Sequence, residues 1–207
     1  MRSALTVVGV LAALLSPGTA LAQSRGSDSD WPCQQALVPT LTAPTVWSGP
    51  SPEGIGDWHS EATVAALVGR IAPRSVPTPE GETAIEQFTR GIEGGRKRLI
   101  TLAFAGLLDE TNRQRNEVIQ RIKALAERQR NLATLVARLT TELDQTPEPA
   151  DATSAAAAQR TDLVQRWTYT SRAYNELQRT MRYACEVPGQ LDARLGAYAR
   201  ALEAGLS

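Results

Sequence analysis

VIQRIKALAERQRNLATLVARLTTEL, residues 118–143, places Val118, Ile122, Leu125, Gln129, Leu132, Val136, Leu139 and Leu143 at alternating steps of four and three. An α-helix turns once every 3.6 residues, so that alternation keeps all eight side chains on one narrow stripe, the seam of a coiled coil. A second stretch, LVQRWTYTSRAYNELQRTMRYA at residues 163–184, repeats it through Leu163, Trp167, Thr170, Tyr174, Leu177, Met181 and Ala184. Between the two lies Thr146-Pro147-Glu148-Pro149, where proline removes backbone donors and ends a helix. Two seams joined by a short proline turn predict an antiparallel hairpin. Pairing them outward from the turn, Leu139 with Leu163 and on to Val118 with Ala184, gives residue numbers that add to 302 or 303 throughout. At 1.5 Å per residue each arm would be about 50 Å long. Gln129, Thr170 and Tyr174 put polar atoms in mid-seam, where such groups fix register at some cost in stability.

Outward from the hairpin the pattern changes. Leu99 to Leu108 is an apolar run too short to span a bilayer, which takes about 20 residues, and reads as a buried core helix. Pro188-Gly189 ends the returning helix, and Leu191, Leu195, Tyr198, Leu202 and Leu206 mark a closing amphipathic helix. Upstream, a helix runs from an N-cap at Ser60 to Ile71, and a second spans Glu80 to Arg90 before Gly91, Gly94 and Gly95 break the pattern. Residues 23–59 carry Pro32, Pro39, Pro44, Pro50 and Pro52, too many prolines for a long helix or central strand.

The start of the chain is an address. Arg2, an apolar run from Ala4 to Leu15, the breaking Ser16-Pro17-Gly18 and the small residues of Ala20-Leu21-Ala22 are the parts of a cleaved secretory signal peptide. Export makes the two cysteines, Cys33 and Cys185, a predicted disulfide. Closing so long a loop would stabilise the fold by roughly 5 kcal/mol in the chain-entropy model, as an upper figure.

The chain is expected to be all-α: a long antiparallel coiled-coil hairpin projecting from a small helical body, with an extended Pro/Trp-rich strap. Its parts are a signal peptide at 1–22, a strap at 23–59, a body at 60–110, a hairpin at 111–185 with its turn near 145–152, and a closing body helix at 186–207.

Charge is balanced overall, +0 at pH 7, but unevenly placed. Between Thr111 and Leu143, Arg113, Arg115, Arg121, Lys123, Arg128, Arg130 and Arg138 face only Glu117, Glu127 and Glu142. Five arginines against two acids follow between Arg160 and Arg182. The reading is a basic hairpin on an acidic body. Exported protein does not meet nucleic acid, so the partners this charge suits are an acidic protein or an anionic envelope component; the hairpin could equally pair with itself.

Catalytic chemistry finds little to work with. The one histidine, His59, sits in Asp57-Trp58-His59-Ser60-Glu61, where i, i+2, i+4 spacing does not converge on one helix face. A capped helix start, by Asp57 or Ser60, accounts for it. No nucleophile elbow, phosphate loop or metal-ligand spacing occurs, and no cofactor is expected. The chain is read as a non-enzymatic periplasmic interaction or scaffold protein. The alternative is a small-ligand or metal-binding module using Trp31, Trp47, Trp58 and His59. Finally, Trp31-Pro32-Cys33-Gln34, with Val38-Pro39 and Trp47-Ser48-Gly49-Pro50, resembles a segment of an uncharacterised family of exported proteobacterial proteins. The resemblance is confined to residues 31–50 and implies a periplasmic address and no activity.

Overall fold

The computed structural model describes residues 31–151 and 154–207; the signal-peptide reading of residues 1–22 and the first residues of the strap lie outside them. Four helices follow an irregular strap: α1 Ala62–Ile71, α2 Thr78–Arg90, α3 Arg96–Gln145 and α4 Ala155–Ala204. The described residues contain no strand, and the protein is all-α. Two 3-10 turns, Ala43–Thr45 and Trp58–Ser60, interrupt the strap.

α3 and α4 are each 50 residues long, about 75 Å at 1.5 Å per residue. They run antiparallel along their whole length, as contacts at three levels show. Near the turn, Arg160 donates to the Leu143 carbonyl at 3.2 Å; midway, Arg115 donates to the Pro188 carbonyl at 3.2 Å; at the far end, Arg96 donates to the Gly205 carbonyl at 3.0 Å. The residue numbers of the first two pairs both add to 303, the register obtained by pairing the seams.

One boundary expected from the sequence is overturned. Pro188-Gly189 does not end the returning helix: α4 passes through both to Ala204. Proline has no N–H for the Ala184 carbonyl and normally costs a helix interior about 3 kcal/mol. Here its ring is buried, and its own carbonyl takes the Arg115 guanidinium, so tertiary packing outweighs the local penalty. Body and arm therefore share two helices, and residues 110/111 and 185/186 fall inside them. The start of α1 also differs. Ser60 belongs to the preceding 3-10 turn, donating from its hydroxyl to the Asp57 carbonyl at 2.6 Å, and Glu61 takes the N-cap position without a side-chain capping bond, its carboxylate pairing instead with Arg98 at 3.3 Å. α2 begins at Thr78 because Pro79 suits a first turn, where the missing N–H has no acceptor to lose.

α1 packs on α3, and α2 packs on α4 and on α1. Their core contains Val64, Val68, Ile71, Ile85, Ile100, Phe104, Leu195 and Leu202. Trp47 reaches it from the strap and stacks on Phe104, with centroids 4.3 Å apart and planes 9° from parallel, while its indole N–H donates to the Pro50 carbonyl at 2.7 Å. Gly81 is needed where α2 crosses α4, since a Cβ there would lie 2.1 Å from the Tyr198 hydroxyl oxygen. The C-terminal carbonyls of α1 are taken by the long helices: Gln114 donates to Ala72 at 2.9 Å, and Arg194 to Pro73 at 2.9 Å and to Ile71. These are the orphan acceptors that a helix end leaves behind.

A second cluster lies where the body gives way to the arm. Val118, Ile122, Ala126, Met181 and Leu191 are buried together, with Trp31, Cys33 and Cys185 packed against them. Cys33 and Cys185 form the expected disulfide, 152 residues apart in sequence. It ties the strap to α4.

Candidate functional site

Arg115 organises the base of the arm. Its side chain is 2% exposed. The guanidinium donates to the carbonyls of Val38 in the strap and Pro188 in α4, and pairs with Asp192; Nε is left without a partner. Burial pushes the Asp192 carboxyl above its usual range, and the Arg115 charge beside it pulls it back only in part. Counting Arg115 among the surface charges of a basic hairpin is therefore corrected: it is an internal clamp joining three segments. Its position three residues before Val118 continues the seam inward, and that spacing was the available signal.

The three tryptophans and the histidine do not assemble into one site. Trp31 donates to the Gln35 carbonyl at 2.7 Å beside the disulfide, Trp47 is core, and Trp58 lies over Gly106 of α3 with its N–H 3.4 Å from Asp109. His59 stacks on Trp58 at 3.6 Å and meets Asp57 at 2.8 Å through Nδ1. Asp57 also accepts from the His59 backbone N–H, closing the 3-10 turn, and this bond holds its carboxyl below the usual range. Among the described residues no group of three or more His, Cys, Asp or Glu could hold a metal ion. No helix among them is long and apolar enough to cross a membrane.

An open groove of about 950 Å³ lies beside the disulfide, bordered by Pro32, Gln34, Gln129, Gln178, Met181 and Arg182. It lies between the strap and the arm.

Beyond Ala126 the arm is two helices thick. Of the seam, Leu139, Leu163 and Leu177 are buried. Leu125, Gln129, Leu132, Val136 and Tyr174 are half-buried, as is Leu135 just beside them. Trp167 is 36% exposed and Val164 41%; the Trp167 indole donates across to the Thr140 hydroxyl at 2.9 Å. The charges are also sorted differently from a uniformly basic hairpin. Residues 118–138 and 166–182 hold nine basic side chains and two acidic ones, whereas the tip, residues 139–165, holds Glu142, Asp144, Glu148, Asp151 and Asp162 against Arg160 alone. The arm has a basic belt and an acidic tip. Reasoning from seams alone missed this split because it treated each helix as one charge block.

No family model, no curated protein and no solved structure matches this chain.

Proposed function

We propose that this is a non-enzymatic interaction protein of the periplasm, which presents its helical arm, packed as a coiled coil, to a partner. The observation that carries the reading is the arm itself. Two 50-residue helices outrun the body, and past the disulfide they keep apolar side chains such as Val164 and Trp167 in contact with solvent. A stripe of large apolar groups on a projecting element is the anatomy of a contact surface, because such groups gain about 25 cal/mol for each Å² that a partner removes from water. The periplasmic address rests on the signal-peptide pattern, the disulfide, and the resemblance of residues 31–50 to exported proteobacterial proteins.

The test is photo-crosslinking in cells from a probe at Glu148 in the turn, with a second probe at Glu80 on α2 as control. A discrete adduct from the tip and none from α2 is the expected result. A folded, exported protein that yields no adduct at the tip would overturn the reading.

A further inference from the structure

The groove beside the disulfide takes one of its walls from two rows of α4 side chains. Met181, Cys185, Gly189 and Ala193 recur every four residues, and so do Gln178, Arg182, Glu186 and Gln190, because side chains four apart stack on one helix face. The first row starts under the strap, where Met181 is buried and Cys185 is bonded to Cys33; the second is exposed throughout. The strap supplies the facing wall with Pro32, Gln34 and Gln35, and Gln129 of α3 stands at the end nearer the tip of the arm. From Gln178 to Ala193 the groove follows α4 for about 22 Å at 1.5 Å per residue, the length of about seven residues of extended chain. Two of its amides are engaged within the protein: Gln35 donates to the Cys185 carbonyl, and Gln178 to the Tyr174 hydroxyl at 2.9 Å. The side chains of Gln34, Gln129 and Gln190 make no hydrogen bond with the described residues, although Gln129 is half-buried in the seam. Gly189 keeps the middle of the first row open, since a Cβ there would meet nothing within 4 Å.

We propose that this groove binds an extended, uncharged peptide segment of a partner protein, about seven residues long. The lining selects that chemistry. A glutamine amide donates and accepts at once, so it can pair with both the N–H and the C=O of an extended backbone, and five of them border the groove. A polyanion needs a run of cations, and here Arg182 is followed one turn later by Glu186. An apolar ligand would bury Gln34, Gln129 and Gln190 unpaired, which is costly. Sugar rings present apolar C–H faces that call for an aromatic platform, and no aromatic side chain lines the groove among the described residues. In an extended segment every second side chain points the same way, and the row from Met181 to Ala193 offers those side chains small or apolar neighbours. The inference goes beyond the arm-docking reading, because the groove lies beside the strap and does not depend on what the tip of the arm contacts.

The test is selection of random phage-displayed heptapeptides on the full mature chain with its disulfide intact, followed by fluorescence anisotropy of the selected peptides free in solution. Expected are peptides poor in charged residues, with a dissociation constant raised about tenfold or more by Gly189→Phe, which fills the groove. Gln129→Leu, which removes an amide where an apolar side chain suits the seam, should weaken binding to a similar degree. Both variants should keep the helical circular dichroism of the native protein. Thr180→Phe, on α4 but outside the groove, should bind as the native protein does. Failure to select any heptapeptide, selected peptides indifferent to Gly189→Phe and Gln129→Leu, or binding of chitohexaose in place of peptide overturns the inference. The tip crosslink reads a different surface: losing the groove leaves arm docking standing, and a silent tip leaves the groove.

Discussion

The same two helices pass through two environments, and one spacing of apolar residues has different consequences in each. At the base, Val118, Ile122 and Met181 are buried, and so are Ile119 and Ala126, which lie off the seam. Further out, Leu139, Leu163 and Leu177 are buried between the two helices, but Leu132 and Val136, at equivalent seam positions, remain half-buried. The difference is a third layer. The strap, with Trp31, Cys33 and the Arg115 contacts, covers the base, while the described arm has only its partner helix. A heptad seam fixes which side chains face one another; whether they leave water depends on what is stacked above them.

The sharpest way to break this contrast is to cut the strap from α4. Cys33→Ser with Cys185→Ser removes the loop constraint and should destabilise the protein by about 2–5 kcal/mol in urea unfolding. Native-state hydrogen exchange should accelerate first around residues 118–126 and 181–191. Equal acceleration in residues 132–143 would mean that base and arm unfold as one unit.

Next in size comes the contrast at single residues. Ile122 is fully buried, so Ile122→Ala leaves a cavity and should cost about 3 kcal/mol. Leu135→Ala, at a half-buried position open to solvent, should cost less than about 1 kcal/mol. Similar costs at the two sites would show that the arm is covered in solution.

The hairpin and its register were legible in the sequence because they depend on local periodicity, which a helix cannot hide. The disulfide was legible because the chain has two cysteines, which allow one pairing. What was not legible came from long-range partners. Seam spacing turns Arg115 toward α4, but its residue type reads as a surface charge; it is internal because Val38, Pro188 and Asp192 come to it from 73 to 77 residues away. The placement of the tryptophans was set the same way: Trp47 and Trp58 pack against the body core, while Trp31 packs at the base of the arm. Pro188-Gly189 read as a helix end on local grounds, and tertiary contacts carried the helix through.

That last point sets a smaller prediction of opposite sign. Gly189 is exposed inside α4, and a Cβ there would meet nothing within 4 Å. Gly189→Ala should therefore stabilise the protein by about 0.5–1 kcal/mol, the usual gain of alanine over glycine in an exposed helix interior. A loss of stability would restore the helix end that the local sequence suggests.

The smallest effect expected is on pH dependence at the clamp, and its sign discriminates between two pictures. Folding raises the pKa of Asp192, because desolvation outweighs the attraction of Arg115. An acid that holds its proton more tightly when folded adds stability below its unfolded pKa, near 3.9, and that contribution is lost as pH rises through the raised value. Asp192→Asn removes the titration and leaves the other groups in place. The stability of the native protein relative to the variant should thus be greater at about pH 3 than at about pH 7. Were the Arg115 ion pair dominant, the folded pKa would be depressed and the difference would grow with pH instead. Measuring both proteins by urea unfolding across that range decides whether the base of the arm is held by burial, with charge tolerated inside it, or by the charge pair itself.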